Sequence, residues 1–188
     1  SPWKSRLQLW AEKTGLVKDS KESPAMEWGT RLEYVIRNKF AENHPELIVQ
    51  GADRFTHRLY PFIVAHIDGS AIDELTQESA VLEIKTANAY SGDEWQASVP
   101  TYYLCQIQHY LAVTGWKKAY CAVLIGGQDY REFEILRDDE FIDKLIEEEV
   151  KFWKEVQEGT PPTAADVADS EILSLLTPVV EGKSVDLP

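Results

Sequence analysis

A carboxylate and an ammonium lie two positions apart in the apolar segment LEIKTA, as Glu83 and Lys85. Alternate side chains of a β-strand share a face, so these two would point to one side and Ile84 to the other. A carboxylate beside a lysine can bind a metal ion and position or deprotonate an attacking water molecule. The same alternation also fits a half-buried strand with a charged solvent face, and the segment alone leaves both interpretations open.

A second carboxylate, Asp68, stands near the end of the strand-like segment 61–69. If this segment pairs with 80–86 as a hairpin, Asp68 and Glu83 approach each other at one end of the sheet. Two carboxylates and the main-chain carbonyl of Ile84 form an all-oxygen ligand set, which suits Mg²⁺ or Mn²⁺. The spacing therefore predicts a divalent metal site on these two strands.

Further polar side chains lie close to these strands in sequence. Glu33 interrupts the apolar stripe of a predicted helix; it would hold the metal directly or through water, hold a second metal, or be ordinary surface charge. Gln106 and Tyr110 are four residues apart on one helix face, where they could bind the attacking water, a phosphate or a nucleic-acid end. The alternative places Tyr110 in the core and Gln106 at its boundary. His66 would share a strand face with Asp68, either near the site or as a hydrogen-bonded structural histidine.

The segments that carry these residues predict an α/β fold. Apolar residues at helical spacing alternate with short runs rich in β-branched residues. Two helices, three strands, a helix, two strands and a final helix predict a mixed central sheet flanked by helices. The predicted helices are residues 3–15, 24–42, 99–114 and 138–159. The predicted strands are 47–51, which continues into 53–59, and 61–69, 80–86, 117–127 and 129–136.

The composition of the 188 residues predicts a globular domain over 1–160 and a Pro-rich acidic tail over 161–188. The hydrophobic content of 44% is too high for a disordered chain. No apolar run reaches the roughly 20 residues of a transmembrane helix, and no secretory signal pattern is present. The two cysteines form no CxxC pair, which favours a cytoplasmic protein and excludes a cluster held by four cysteines.

The formal net charge of −13 excludes a protein that is basic over its whole surface. More than half of the 32 acidic residues lie in 121–188, whereas residues 1–60 carry slightly more basic than acidic side chains. A local positive patch in that first third would suffice to attract phosphate groups. The candidate basic residues there are Lys4, Arg6, Arg31, Arg37, Lys39, Arg54 and Arg58, and Lys117 with Lys118 form a second cluster.

Four motifs in order make the pattern more specific. They are G-x-x-x-E from Gly29 to Glu33, IDG, EIKT, and Q-x-x-x-Y from Gln106 to Tyr110. The set resembles the PD-(D/E)xK nuclease superfamily, and within it the YqaJ group of phage-type recombination exonucleases, relatives of the phage lambda exonuclease. The resemblance covers about residues 1–163 and implies a restriction-endonuclease-like core in the order αβββαβ. The site residues that it implies are Asp68, Glu83 and Ile84 as metal ligands, Glu33 as a further metal-binding acid, Lys85 as the catalytic lysine, and Gln106 with Tyr110 as the QxxxY pair.

The resemblance also implies a function. Members of the group are Mg²⁺-dependent deoxyribonucleases that digest linear duplex DNA from 5′ ends, leaving 3′ single strands for an annealing protein, and some assemble as ring-like trimers around DNA. They usually carry a Gly-Ser-Asp-like segment before the position of Ser1, so the contacts to a 5′-phosphate are not assigned from this sequence. A PD-(D/E)xK endonuclease and a catalytically silent DNA-binding module are the alternatives; the intact Asp68, Glu83 and Lys85 disfavour the second.

Overall fold

The structure, a computed structural model, describes residues 4–18 and 23–163, together with residues 169, 172 and 176. The chain divides into a larger unit, Lys21–Glu149, and a smaller unit formed by Ser1–Ser20 with Val150–Pro188. The predicted boundary at residue 160 stays a prediction, because most of 161–188 lies outside the described residues.

The helices begin and end where the sequence offers caps. Ser23 accepts a hydrogen bond from the amide of Met26 and Pro24 occupies the first helical position, two signals typical of a helix start. Gly115 adopts a left-handed φ of 74° and ends the third helix. Asp138 accepts from the amide of Phe141 and caps the fourth. The helices are α1 (Arg6–Lys13), α2 (Pro24–Asn43), α3 (Thr101–Thr114) and α4 (Asp139–Glu158), with a short 3₁₀ helix at Ala89–Trp95.

A five-stranded mixed sheet forms the larger unit, with the strand order β1-β4-β5-β6-β7. Strand β5 runs antiparallel to β4 and parallel to β6, because α3 crosses over between β5 and β6. In chain order α2, β1, β4, β5, α3 and β6 form the predicted αβββαβ core. The strands are β1 (Leu47–Gln50), β2 (Asp53–Thr56), β3 (Val64–Ile67), β4 (Gly69–Asp73), β5 (Ser79–Ala87), β6 (Lys118–Ile125) and β7 (Asp129–Leu136).

The predicted strand 61–69 is wrong in one respect that matters for the site. The chain bends at Asp68, so the segment forms β3 and only the first residue of β4. Strand β3 pairs antiparallel with β2 in a separate two-stranded sheet, whereas β4 pairs with β5. The predicted hairpin with the Glu83 strand is therefore made by β4, and Asp68 lies at the junction of the two sheets.

Each face of the central sheet is covered by a helix. On one face Ile36 and Phe40 of α2 pack with Leu82 and Ile84 of β5. On the other face, α3 buries apolar side chains in a larger cluster that also includes Val81 of β5. Strand β5 is thus buried on both faces, which explains its nearly continuous apolar sequence. A polar side chain on β5 has to be accommodated inside the protein.

The smaller unit has its own apolar cluster. Leu7, Trp10 and Ala11 of α1 are buried together with Ile172, and Phe152 from the last part of α4 packs against them. The indole N–H of Trp10 donates to the carbonyl of Glu155 at 3.2 Å.

Among the described residues, the helices are all too short or too polar to cross a membrane.

His44 ends α2 and ties it to β7. Its Nε2 lies 2.6 Å from a carboxylate oxygen of Glu132, and its Nδ1 lies 3.3 Å from one of Glu46. Burial opposes the charged form of the imidazole, but the two carboxylates outweigh burial and raise the pKa of His44. A charged histidine at the end of a helix also interacts favourably with the helix dipole.

We expect His44→Gln to destabilise the protein by about 1 kcal/mol more at about pH 6 than at about pH 9. The folded-state pKa of His44 lies above its unfolded value, so the stabilisation is complete below the unfolded pKa and is lost as pH rises through the folded one. Urea unfolding at both pH values measures the difference. Tyr130→Phe is the matched control, because it removes a neutral donor to the same Glu132 carboxylate and should cost the same at both. An equal loss for His44→Gln at both pH values would contradict the assignment.

Candidate functional site

The bend at Asp68 brings this residue against the middle of β5. Gly69 is paired with Leu82 in the β4–β5 register, so Asp68 lies beside Glu83. The Oδ2 atom of Asp68 accepts a hydrogen bond of 2.8 Å from the amide of Ile84. Because the N–H and C=O of one strand residue point to the same side, the carbonyl of Ile84 faces this carboxylate as well.

Glu83 is buried, with only 1% of its surface exposed. Its Oε1 atom forms an ion pair with the ammonium of Lys85. Its Oε2 atom is also buried and accepts no hydrogen bond from any described residue. The carboxyl group of Asp68 is close enough to interact directly with that of Glu83. Two acids therefore meet one ammonium in the centre of the sheet, which leaves an excess of negative charge when both are ionised.

Burial raises the pKa of both acids. For Glu83, burial and the neighbouring Asp68 outweigh Lys85 and raise the pKa to about 7. For Asp68, burial raises the pKa although the Ile84 amide, Lys85 and Arg37 favour the charged form. A proton or a cation bound between the two carboxylates would therefore lower the free energy of the folded protein.

Lys85 is held by two groups. One is the carboxylate of Glu83, and the other is the ring of Tyr103, whose centroid lies 4.9 Å from the ammonium nitrogen. Burial favours neutral lysine, but the charge of Glu83 and the hydrogen bond to it outweigh burial and raise the pKa of Lys85. The pairing with Glu83 therefore favours the charged form of Lys85.

Gln106 and Tyr110 face the same site from α3. The side-chain amide of Gln106 donates to the hydroxyl of Tyr110 at 2.7 Å. Burial raises the pKa of Tyr110 to about 12, and the charge of Glu83 acts in the same direction. The hydroxyl is therefore neutral at physiological pH, and it lies near enough to both Glu83 and Lys85 for their charges to act on it.

Glu33 approaches from α2 but does not join the pair of acids directly. Its pKa is raised by burial and by the charge of Asp68, with Arg37 and Lys85 opposing. Among the described residues no three His, Cys, Asp or Glu side chains are grouped so as to hold a metal ion. A cation bound here would take Asp68, Glu83 and the Ile84 carbonyl as protein ligands, and Glu33 would reach it through water.

These residues fit a divalent cation. The donors are hard oxygen atoms, as Mg²⁺ and Mn²⁺ require. The buried Oε2 atom of Glu83 accepts no hydrogen bond from the described residues. A buried oxygen without a donor indicates a place where a positive group would bind. The described part of the chain thus offers two carboxylates and one carbonyl, with water left to complete the coordination.

The structure brings together all the residues predicted for the site, from four elements. Glu33 comes from α2, Asp68 from the β3–β4 bend, Glu83, Ile84 and Lys85 from β5, and Gln106 and Tyr110 from α3. Their roles in chemistry stay predictions.

His66 is exposed on β3, where it is paired with Arg54 of β2. The bend after Ile67 ends the regular strand, so the expectation that His66 and Asp68 share a strand face does not apply.

Two residues of the site were not singled out from the sequence. Tyr103 is part of no motif, although its spacing of three from Gln106 and seven from Tyr110 puts it on the same helix face. Arg37 was one of a pool of basic residues, although it follows Glu33 by four positions. In the structure its guanidinium donates to the main-chain carbonyl of Asp68 at 2.9 Å.

Comparison with known proteins gives one family and one homologue of similar sequence. A family described as the YqaJ-like viral recombinase domain matches residues 1–117. The uncharacterized protein YqaJ of Bacillus subtilis (strain 168) is 35% identical over 192 aligned positions, which cover 98% of this chain. The chain spans 59% of the length of that relative. These matches confirm the resemblance to the YqaJ group.

Solved structures confirm the fold class. The alkaline exonuclease LHK-Exo from Laribacter hongkongensis is similar with a TM-score of 0.69 and 20% identity, over 90% of this chain and 85% of that one. A phage-related exonuclease from Haemophilus somnus 129PT is similar with a TM-score of 0.63 and 14% identity, over 81% and 79% of the two chains. At these identities the likeness establishes the shared fold.

We expect Asp68→Asn to stabilise the protein by about 1 kcal/mol at about pH 8 in the presence of a chelator, and by less at about pH 5. The folded-state pKa values of Asp68 and Glu83 are raised, so the folded protein binds more protons than the unfolded chain. The free energy of unfolding of the wild type therefore falls as pH rises from the unfolded to the folded pKa values of these acids. Asparagine can still accept from the Ile84 amide but carries no charge.

Urea unfolding of both proteins at the two pH values measures this difference. Asp143→Asn is the control, since Asp143 is an exposed acid on α4 and should show no such gain. A lower free energy of unfolding for Asp68→Asn than for the wild type at about pH 8 would contradict the prediction that the paired carboxylates destabilise the folded protein.

Proposed function

Because the chain belongs to the YqaJ-like viral recombinase domain family, we propose that it is a metal-dependent DNA exonuclease that hydrolyses phosphodiester bonds of linear duplex DNA. One observation carries the proposal: the buried carboxyl of Glu83 has one oxygen paired with Lys85 and the other without a donor, next to Asp68. Placing Glu83 and Asp68 side by side next to Lys85 lowers the stability of the folded protein. Hydrolysis of a charged phosphodiester is a function that requires such a group of charges.

Asp68 and Glu83, with the carbonyl of Ile84, would hold Mg²⁺, for which Mn²⁺ would substitute. A divalent cation bound there would lower the pKa of a water molecule and offset the negative charge that develops on the phosphate. The protein contributes the position of both carboxylates. Ile84 fixes one of them through its amide and anchors β5 in the core through its side chain.

Lys85 would orient the attacking water and stabilise the negative charge that develops on the phosphate in the pentacoordinate transition state. In this role the ammonium acts as a hydrogen-bond donor and a positive charge. Once Glu83 is engaged elsewhere, the ring of Tyr103 still holds the ammonium close to the site. Preorganised charge of this kind in a site sheltered from water is a large contributor to catalysis.

Gln106 and Tyr110 would bind the substrate phosphate or the attacking water from the α3 side. The amide of Gln106 has a second N–H, because only one is needed for the bond to Tyr110. Glu33 would hold water at the opposite side of the site, from α2. Its charge is partly balanced by Arg37 and Lys85.

The finer features of the proposal rest on the family. From the resemblance to the phage lambda exonuclease we infer degradation from 5′ to 3′, with 3′ single strands as the product and a single-strand annealing protein as the partner. A ring-like homotrimer and a cytoplasmic location in a bacterial or phage-infected cell follow on the same grounds. One structure of LHK-Exo contains dAMP, a deoxynucleoside monophosphate, which is the class of product that an exonuclease releases.

An endonuclease is the second candidate within the same fold, and a DNA-binding module without catalysis is the third. An endonuclease would also cut DNA without ends. A DNA-binding module without catalysis would need no arrangement of acids around Lys85, and the geometry of Asp68, Glu83 and Lys85 therefore disfavours it.

End-labelled linear duplex compared with covalently closed circular duplex, each with and without Mg²⁺, tests the proposed function. We expect loss of the linear DNA alone, release of mononucleotides, and no reaction in the presence of a chelator. A label at the 5′ end should be released before a label at the 3′ end. Cleavage of the closed circle would favour the endonuclease, and binding without any cleavage would favour the silent module.

Lys85→Met supplies the catalytic control in the same assay. We expect kcat to fall by about 10²–10³-fold, as for the loss of one preorganised donor, while DNA binding is retained. Full activity of Lys85→Met would overturn the assignment of the lysine.

A further inference from the structure

Arg37 occupies an unusual position for a basic residue near the surface. It lies on α2, one helical turn after Glu33, and its side chain is half-buried. Its Nη1 donates to the main-chain carbonyl of Asp68 at 2.9 Å. Within the described residues its guanidinium forms no ion pair with a carboxylate at 4.0 Å or less, so its fixed partner is a backbone atom of a proposed metal ligand.

The side chain of Arg37 passes two glycines on its way to this carbonyl. A Cβ atom on Gly69 would lie 3.5 Å from the Cδ of Arg37, and one on Gly51 would lie 3.9 Å from its Cζ. The same Cβ on Gly69 would also lie 2.7 Å from the carbonyl oxygen of Gln50, a distance that no side chain tolerates. The arginine side chain therefore runs along the main chain at Gly69 and Gly51 at ordinary van der Waals distance, and Gly69 is required by the close approach of the Gln50 carbonyl.

Asp68 is thus held at two points from two elements. Arg37 of α2 holds its main-chain carbonyl, and the amide of Ile84 in β5 holds its carboxylate. Since Asp68 lies at a bend between two sheets and not within a strand, no ladder hydrogen bonds fix its orientation. The hydrogen bonds from Arg37 and from the Ile84 amide fix its orientation instead.

We propose that Arg37 is a positioning residue, which fixes the bend at Asp68 so that its carboxylate and that of Glu83 are presented together to a divalent cation. The inference rests on the proposed function, since it takes the cation site as given. Groups that hold a metal ligand in place typically change metal affinity by about 10–100-fold when they are removed. The guanidinium would act through Asp68 and need not touch the substrate.

Arg37→Met tests the inference, with Arg37→Lys as the conservative variant and Arg31→Met as the matched control. Arg31 lies on the same helix, is exposed, and pairs with Glu27. Titration calorimetry with Mn²⁺ on the DNA-free proteins gives the affinity. We expect Arg37→Met to bind Mn²⁺ about 10-fold more weakly, Arg37→Lys to recover part of the loss because it keeps a charged donor, and Arg31→Met to match wild type.

Hydrogen exchange at the Ile84 amide gives a readout that requires neither metal nor activity. We expect faster exchange in Arg37→Met, because a displaced Asp68 carboxylate no longer accepts from this amide, with the neighbouring amides of β5 unchanged. Should Arg37→Met fail to fold, Arg37→Gln takes its place with the same criteria, since its polar side chain is too short to reach the carbonyl.

The possible failures can be told apart. Wild type that binds no Mn²⁺ would overturn the metal site of the proposed function and this inference with it. Normal Mn²⁺ affinity and normal Ile84 exchange in Arg37→Met, with or without a lower melting temperature, would overturn the inference alone and leave the proposed function standing.

Discussion

A buried carboxylate, Glu83, lies beside a half-buried one, Asp68, and the ammonium of Lys85 pairs with Glu83. Like charges at such short range in a medium of low dielectric repel strongly, and each also loses its hydration. Glu83 and Asp68 respond with raised pKa values, and Glu83 keeps one oxygen without a donor among the described residues. The other elements of the larger unit surround this pair of acids, and a bound cation would reduce the repulsion between them.

The fold supplies the support that such a centre needs. Strand β5 is covered on one face by α2 and on the other by α3, so the side chain of Glu83 cannot turn towards solvent. The β4–β5 register sets Asp68 beside Glu83, the Ile84 amide holds the Asp68 carboxylate, and Arg37 holds the Asp68 carbonyl. From α3, Tyr103 holds Lys85. Stability lost at the site is offset by the two apolar clusters that flank it, as is usual for functional sites.

Much of this could be predicted from sequence, because local signals agree with the fold. Ser23 with Pro24 begins α2, Gly115 ends α3, and Gly126 with Gly127, both at positive φ, turn β6 into β7. The break at Asp68 could not be predicted, because 61–69 is continuously strand-like and the bend depends on contacts with α2 and β5. The roles of Tyr103 and Arg37 also depend on tertiary contacts, and their helical spacing gains meaning only once the neighbouring elements are known.

The central claim is that Asp68, Glu83 and the Ile84 carbonyl form one divalent cation site. Anomalous diffraction from crystals soaked in Mn²⁺ tests it most directly. We expect a single strong anomalous peak within roughly 2.0–2.6 Å of oxygen atoms from all three residues, with Lys85 displaced from its pairing with Glu83 towards the ring of Tyr103. The absence of a peak between these residues, with Lys85 still paired to Glu83, would contradict it.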